Sequence, residues 1–438
     1  MLRRGPSGLG LSVLICSLIF AVVIHAQTSS TQAPLTLTLQ DALSRARANS
    51  VPFQAALTDQ GLAHQDNVQA RAALLPSVNY NTAYLYTQGN TTPSGRFIAS
   101  NGVHEYLSQG DVRQVVGYTE LADYRRSRAL AAAARAKAEV AARGLVVTVV
   151  QSYYGLIAAQ RKYANVQQAA TEAERFFRLS QKLENGGEVA HSDVIKAQIQ
   201  YQDRQRDLRE SQLTMEKARL DLAVLLFPNF NENFTVVDDA DLAPPLMSFD
   251  EVARLASVKN PDLRFSTASV QAAEHEVSAA RGGFFPTLTV DYFYGIDASH
   301  FATYNDGIPN LGYAATATLN IPIWNWGATR SKVAQADLRR QQARRELSLT
   351  QRKLLASMRS SYDEADAARS ELDLLKSSAE LAAESLRLTN LRYQGGEATV
   401  LEVVDAQNTL TTARNAYNDG QVRYRTALAN LQTLTGTM

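Results

Sequence analysis

The sequence contains a single cysteine, Cys16, and this scarcity excludes several kinds of chemistry. Cys16 lies within residues 1–26, which have the features of a secretory signal peptide: Arg3 and Arg4 at the start and an apolar stretch behind them. Lipidation of Cys16 is not expected, because Ile15 precedes it and the apolar run continues well beyond it. We therefore predict a mature chain without disulfides and without a cysteine nucleophile.

The sequence also lacks an excess of charge of either sign. It has 44 Lys+Arg against 43 Asp+Glu, and loss of Arg3 and Arg4 with the signal peptide leaves 42 against 43, a balance of −1. A nucleic-acid partner is not expected, because proteins that bind nucleic acid carry surplus positive charge.

Sequence patterns typical of catalysis or metal binding are missing. An acidic cluster (Asp238, Asp239 and Asp241) lies in a proline-bearing linker, where we expect it to be solvated rather than to bind calcium. The histidines that follow the signal peptide are scattered, without metal-ligand spacing: His64, His104, His191, His275 and His300. We predict that the protein is not an enzyme and uses no cofactor and no metal.

Long apolar runs are absent after residue 26, and none approaches the roughly 20 residues that a membrane helix needs. A secreted chain of this kind can still enter a bilayer as a closed β-barrel, in which every backbone polar group is paired.

The sequence repeats itself at an offset of about 210 residues. Residues 71–78 match residues 281–288, and the pair Gly186-Gly187 matches Gly395-Gly396. A repeat this long indicates a duplicated, domain-sized unit. The predicted divisions are a first repeat over residues 27–226, a linker over 227–246 and a second repeat over 247–438.

Each half is predicted to run helix, β-hairpin, long helix, Gly-Gly turn, helix. Helical spacing of apolar residues predicts helices over 39–73 and 249–282, each ending before a proline, and long helices over 129–184 and 328–392. Two-residue alternation predicts hairpins over 77–122 and 287–323, with return strands at 112–121 and 311–323 around long loops at 88–110 and 295–311.

One face of the predicted strands is polar and the other is aromatic and aliphatic. The polar face would line a wet lumen, and its residues are Asn79, Asn81, Thr289, Asp291, Thr316, Thr318 and Asn320. Aromatic residues expected at the membrane interface are Trp324, Trp326, Tyr84, Tyr86, Tyr292 and Tyr294. The alternative is that these aromatic side chains fill the core of a soluble β-sheet.

Four strands per chain are too few to close a barrel, since the smallest closed membrane barrels have about eight. Open strand edges cannot persist in hydrocarbon. If the strands enter a membrane, the chain must therefore oligomerise.

The duplicated pattern resembles the outer-membrane factor, or TolC-like, family of efflux channels over essentially the whole mature chain. The residues that carry the resemblance lie at 39–43, 72–77, 319–327 (Leu-Asn-Ile-Pro-Ile-Trp-Asn-Trp-Gly), 392–396 and 400–407. The resemblance implies an α+β membrane protein, a homotrimer in which three chains share a transmembrane β-barrel with four strands per protomer. The barrel would continue into a periplasmic α-helical coiled-coil barrel. The implied partners are a periplasmic adaptor protein, an inner-membrane RND or ABC transporter and outer-membrane lipid.

The same resemblance implies that acidic side chains form a narrow aperture at the periplasmic tip. The matching positions are Glu402 and Asp405, and Asp193 is the first-half counterpart of Glu402. A local interpretation of Glu402 stays open, because Thr399 to Glu402 is itself a capping box. Gly186, Gly187, Gly395 and Gly396 would form adaptor-docking turns, or simply reverse the chain.

Two functions remain to be distinguished. The first is a passive outer-membrane exit duct of a tripartite efflux or type I secretion system. The second is a soluble periplasmic coiled-coil scaffold, in which the long helices matter and the strands form a small sheet.

Overall fold

A computed structural model describes residues 35–86, 104–240, 245–305 and 307–436 of the 438-residue chain. The predicted signal peptide and most of the predicted loop at 88–110 lie outside the described residues. The helices are α1 (Leu39–Asn49), α2 (Val51–Ala72), α3 (Tyr118–Asn185), α4 (His191–Leu226), α5 (Phe249–Lys259), α6 (Pro261–Gly282), α7 (Ala328–Gln394) and α8 (Val400–Thr435). The strands are β1 (Leu35–Leu37), β2 (Ser77–Tyr86), β3 (His104–Val116), β4 (Phe234–Val236), β5 (Thr287–Ala298), β6 (Tyr304–Asn305), β7 (Ile308–Pro309) and β8 (Leu311–Asn320).

The two long helices set the dimensions of the molecule. α3 has 68 residues and α7 has 67, and each spans about 100 Å at 1.5 Å per residue. α2 and α4 both pack along α3, and α6 and α8 both pack along α7. Two shorter helices therefore accompany each long one, and the order of elements in the first half recurs in the second.

A four-stranded antiparallel sheet joins the two halves at one end of the helices. Its order is β2-β3-β5-β8, so a strand of the first half pairs with a strand of the second at the centre. Among the described residues, β2 and β8 are the sheet edges. Directly paired residues share a face, and the pairs Asp291↔Thr316 and Thr289↔Thr318 place the predicted polar residues of two strands together.

The predicted single helices at 39–73 and 249–282 are wrong, because each is divided into two. The first breaks at Ser50, one residue before α2 and two before Pro52, and the second breaks at Asn260, directly before Pro261. Proline disfavours a helical residue before it and lacks an N–H, so it suits the first turn of a new helix. Ser50 and Asn260 are the N-caps, and their side chains accept backbone N–H groups from residues 53 and 263.

The predicted return strand at 112–121 and the predicted helix start at 129 are also wrong. β3 runs from His104 to Val116, and α3 begins at Tyr118, directly after Gly117. Arg113 is a charged residue within β3, and it lies on the polar face, where its Nε is 3.6 Å from Asp291 Oδ1. A charged side chain with a partner across the sheet does not interrupt a strand.

The second hairpin differs from its prediction at both ends of its loop. β5 extends to Ala298, and the small hairpin β6–β7 lies within the predicted loop at 295–311. β8 ends at Asn320 instead of 323, two residues before Pro322, which has no N–H to donate to a ladder.

The predicted linker at 227–246 contains the short strand β4, which pairs in parallel with β1. The aromatic rings of Phe227 and Phe234 are buried there against the apolar side of α3, whose core residues include Val149 and Tyr153. The hydroxyl of Tyr153 donates to the carbonyl of Val237 at 2.7 Å and lies 3.2 Å from the carbonyl oxygen of Leu37. One buried side chain of the long helix thus fixes both strands of this small sheet.

Among the described residues, α3 contains the one segment that is long and apolar enough to cross a membrane by composition. Part of its apolar surface, around Val146 to Ile157, is fully buried against α1, α4 and β4. Packing within the chain accounts for this surface, so the expectation that no such segment exists failed because a core helix has the same composition.

We expect Tyr153→Phe to lower the free energy of unfolding by about 0.5–1.5 kcal/mol, because the partly buried carbonyl of Val237 loses its donor, whereas the carbonyl of Leu37 keeps the N–H of Val237. Burial raises the pKa of Tyr153 to about 12, so the hydroxyl keeps its proton under ordinary conditions. Thermal or denaturant unfolding of the purified variant would measure the change. Tyr163→Phe is the matched control, since Tyr163 lies half-buried on the same helix and should lose little; an equal loss in both variants would contradict the assignment.

Candidate functional site

The polar face of the sheet carries its own side-chain bonds. The amide nitrogen of Asn79 donates to Asp111 Oδ1 at 3.2 Å, across the pair that joins β2 to β3. Arg113 and Asp291 form the ion pair described above, which joins β3 to β5. These bonds run from strand to strand along a single surface, so the polar face is one continuous hydrophilic wall.

The opposite face is apolar and open to solvent in the single chain. Tyr292 of β5 and Tyr313 of β8 stack with ring centroids 6.2 Å apart, and Tyr80 shares a 2.7 Å hydrogen bond with Ser108. The predicted interface aromatics on this sheet are all exposed: Tyr84, Tyr86, Tyr292 and Tyr294. A soluble sheet core would bury them, so these rings do not fill a core within the chain.

The two tryptophans lie where β8 gives way to α7. Trp324 and Trp326 contact each other edge to face at 5.8 Å and are 74% and 89% exposed. Trp326 has φ of 56°, and Gly327 follows it with φ of 84°. A left-handed conformation at a bulky residue costs roughly 1–3 kcal/mol. The backbone of Trp326 is therefore strained in the conformation that places the two tryptophans side by side.

Both Gly-Gly pairs end a long helix with the same bonded turn. Gly187 and Gly396 have φ of 77° and 76°. The N–H groups of Glu188 and Glu397, one residue on, donate to carbonyls five residues back at 2.9 and 2.8 Å. This is the Schellman arrangement, in which the residue with positive φ is almost always glycine. The second glycine of each pair is therefore required by the turn.

The second-half tip contains the capping box that the local interpretation of Glu402 predicts. Glu402 Oε1 accepts the N–H of Thr399 at 3.2 Å while the Thr399 hydroxyl accepts the N–H of Glu402 at 3.3 Å, which is a complete capping box. Arg392 reaches across the turn, with Nη1 3.3 Å from Glu402 Oε2. These hydrogen bonds, those from Thr399 first, hold the pKa of Glu402 below its usual value.

Asp405 differs from Glu402 in having no local partner. It is exposed and forms no hydrogen bond or ion pair with any residue that the structure describes. Its position is one helical turn beyond Glu402 on α8, so its carboxylate is free to face another molecule or another copy.

The first-half tip has the same Gly-Gly turn but different side-chain pairs. Asp193 lies 3.2 Å from Lys196 of its own helix, and His191 Nδ1 lies 2.7 Å from Glu184 across the turn. The N-cap of α4, Ala190, has no side chain that could form a capping box. Asp193 is therefore paired locally, whereas the second-half residue at the position of Lys196 is the free Asp405.

Polar contacts that no local sequence pattern predicts join the two helix pairs near the tips. The hydroxyl groups of Ser180 and Tyr393 share a buried 3.1 Å hydrogen bond, and the ring of Phe176 lies 5.0 Å from that of Tyr393. Farther up, Arg414 donates to Gln168 at 2.9 Å. Each contact links α3 to α7 or α8, so the two halves are held together by side chains whose partners lie more than 200 residues apart.

The acidic cluster of the linker is not simply solvated, which corrects the prediction for two of its members. Asp238 forms a bidentate ion pair with Arg161 of α3, at 2.6 and 2.8 Å. Arg425 of α8 lies 3.5 Å from Asp239 and over the ring of Tyr154. Asp241 lies outside the described residues. In the part of the chain that the structure describes, no group of three or more His, Cys, Asp or Glu side chains could hold a metal ion.

Comparisons with known proteins identify the same architecture. Residues 252–437 match the family model for outer membrane efflux proteins. The alkaline protease secretion protein AprF of Pseudomonas aeruginosa is 24% identical over 92% of this chain and 85% of its own length. The outer membrane protein TolC of Escherichia coli is 21% identical over 91% of this chain and 82% of its own length. The outer membrane channel CmeC of Campylobacter jejuni superposes with a TM-score of 0.79 at 18% identity, covering 91% of this chain and 85% of that one.

We expect Gly396→Ala to strain the tip by about 1–2 kcal/mol, because an L residue must adopt positive φ there. Gly395→Ala is the matched control: its φ is −86°, and an added Cβ would meet nothing closer than 3.6 Å. Hydrogen exchange at the amide of Glu397 would report the local opening. Faster exchange in Gly396→Ala alone is expected, and equal exchange in both variants would contradict the turn assignment.

Asp405→Ala should raise single-channel conductance in planar bilayers or weaken block by multivalent cations, because it removes an unpaired carboxylate from the tip. Asp373→Ala is the control, since Asp373 is also exposed, on α7, but roughly 25 Å farther from the tip at the helical rise. Conductance and block unchanged in Asp405→Ala would mean that Asp405 does not face the aperture.

Proposed function

The chain belongs to the outer-membrane efflux protein, or TolC-like, family, and we propose that it is the exit duct of an efflux or type I secretion system in the outer membrane. The single observation that carries the proposal is the inverted polarity at the centre of the sheet. A soluble sheet exposes its polar face, whereas β5 exposes its apolar side chains and partly buries its polar ones. The edge strands β2 and β8 are exposed on both faces in the single chain.

The inversion is clearest on β5, a strand with neighbours on both sides. Exposure alternates along it, with Leu288, Val290, Tyr292 and Tyr294 exposed on the apolar face. Tyr292 is 43% exposed, but the side chain of Asp291 next to it is only 16% exposed. The sheet is thus curved around its polar face, as expected of a barrel wall with lipid outside and water inside.

The edges of the protomer support assembly into a ring. One edge consists of β2, α2 and α4, and the other of β8 and α7. Both edges expose large apolar side chains, such as Ile199 and Leu213 on α4 and Leu381 and Leu388 on α7. Because the two edges are unlike, pairing one with the other is heterologous, and such contacts close into a ring when the rotation permits.

Three copies would complete the barrel and the tunnel, in agreement with the family. The sheet would lie in the outer membrane, and the helices would extend about 100 Å into the periplasm. Trp324 and Trp326 would lie at the membrane interface nearest the periplasm, since they separate the last strand from α7.

The tips would be the points of contact with other proteins. We assign Gly186, Gly187, Gly395 and Gly396 to turns that dock a periplasmic adaptor, which connects the duct to an inner-membrane RND or ABC transporter. The duct itself does no chemistry, and the pump supplies the energy. The free carboxylate of Asp405 is the best candidate for the aperture ring, Glu402 has a capping role beside it, and Asp193 is paired with Lys196 of its own helix.

The proposal predicts which neighbouring residues of β5 face water in the membrane. In a Cys16→Ser background, Thr289→Cys and Val290→Cys each leave one thiol, on opposite faces of the same strand. A charged, membrane-impermeant thiol reagent should react with the first and reduce its current in planar bilayers, and should leave the second unmodified. Membrane fractionation is the accompanying control.

Two outcomes would overturn the proposal. Faster modification of Val290→Cys than of Thr289→Cys would mean that the apolar face is wet and the polar face is not. Recovery of the chain as a freely soluble helical oligomer, with no affinity for bilayers, would support the periplasmic scaffold instead.

A further inference from the structure

A basic groove lies between α3 and α6, close to the sheet. It has a volume of about 480 Å³ and is lined by Arg125, Arg128, Gln271 and His275 together with two alanines. We propose that it binds the phosphate headgroup of an anionic phospholipid in the periplasmic leaflet of the outer membrane. This inference rests on the proposed function, which places the sheet in that membrane.

The arginines of the groove lie just past the depth of the headgroups, within reach of them. Arg125 and Arg128 follow the first residue of α3, Tyr118, by seven and ten positions, which corresponds to about 10 and 15 Å along the helix. The polar layer on each side of a bilayer is roughly 5–8 Å thick. Side chains on a helix tilt toward its N-terminus, which for α3 is the end at the sheet, so both guanidinium groups reach back toward this layer.

Charge around the groove is complementary to a phosphate. The nearby carboxylates are already engaged: Asp123 with Arg126 at 3.5 Å, and Glu274 with Arg344 of α7 at 2.6 Å. Glu276 is likewise paired with Arg339 of α7. Arg125 and Arg128 have no ion pair with any described residue, so two exposed positive charges and an imidazole face a space without a counter-charge.

The groove opens away from the lumen. Arg125 and Arg128 lie 21 residues before Val146 and Val149, which pack toward the small sheet β1–β4 on the outside of the helices. A separation of 21 residues is three heptads, which rotates a residue around the helix axis by about 60° at most. Arg125 and Arg128 therefore lie on the same outward side of α3 as Val146 and Val149. α3 and α6 are neighbours within the protomer and lie between α2 on one side and α7 on the other. Contacts between protomers would involve the flanking helices, so ring closure would leave the groove between α3 and α6 uncovered.

The residues above the groove suit an acyl chain. Tyr118 and Leu121 are spaced three and four residues from each other and from Arg125 along α3, and are 41% and 38% exposed. An aromatic ring, an aliphatic side chain and then two arginines follow one another on one stripe. This is the order of hydrocarbon, interface and headgroup in a lipid leaflet.

The test is a titration of phosphatidylglycerol into the detergent-solubilised trimer, followed by native mass spectrometry. Each basic residue near a lipid headgroup contributes roughly fivefold in affinity, so Arg125→Gln/Arg128→Gln should bind phosphatidylglycerol roughly 30-fold more weakly. Phosphatidylethanolamine and lipopolysaccharide should bind equally to both proteins. Arg175→Gln/Arg178→Gln, with the same charge change on the same helix near the tip, should bind phosphatidylglycerol like the unmodified chain.

The outcomes separate this inference from the proposed function. Equal phosphatidylglycerol affinity in the unmodified chain and the double glutamine variant, or an equal loss in the tip variant, would overturn it while the trimer still conducts. Arg125→Lys/Arg128→Lys retains the charge and should recover most of the affinity, which excludes misfolding as the cause. Failure of the unmodified chain to form a membrane-inserted trimer would overturn the proposed function and this inference together.

Discussion

The unpaired edges of the sheet are the constraint on which the rest of the molecule depends. β2 and β8 have ten residues each, and about half of their backbone N–H and C=O groups point away from the neighbouring strand. Each group left unpaired in hydrocarbon costs several kcal/mol, so the two edges together would cost tens of kcal/mol. A whole domain is stable by only about 5–15 kcal/mol. The inserted chain is therefore inseparable from its neighbours in the ring.

In each half two shorter helices pack along one long helix, and both halves stabilise the junction of the shorter helices in the same way. In each half an asparagine bonds the end of the return helix: Asn49 donates to the carbonyl of Leu226 at 2.6 Å, and Asn260 to that of Leu434 at 3.4 Å. These bonds satisfy carbonyls that a helix end leaves free. In the first half the β1–β4 sheet packs at the same junction. The place where two short helices meet is therefore stabilised by contacts on the outside of the helices.

Residue patterns predicted the parts of the fold that rest on local signals. The Gly-Gly turns, the long helices and the two-faced strands follow from periodicity and from glycine at positive φ, and the resemblance to the family added the assembly. The breaks at Ser50 and Asn260 were missed because apolar periodicity continues across them, although proline marks both. The β1–β4 pair could not be predicted, because each strand has three residues and its partner lies about 200 residues away.

The pairing of the candidate site residues could not be predicted. The resemblance to the family singled out Glu402, Asp405 and Asp193, but ion pairing depends on which side chains a turn brings together. Arg392 reaches Glu402 only because the chain reverses between them. The contact of Ser180 with Tyr393 depends on how the two halves pack, and no local pattern encodes it.

The two tips differ in charge, although the chain as a whole is almost neutral. Lys196 is compensated by Asp193 on its own helix, whereas Asp405 at the matching position has no such partner. Glu188 and Glu397, which follow the two glycine pairs, add exposed carboxylates at both turns. Surface ion pairs are worth only about 0–1 kcal/mol, so the pairs of Arg392 and Lys196 can be exchanged for contacts with a docking partner at little cost. A cationic partner surface would therefore find exposed carboxylates at both turns.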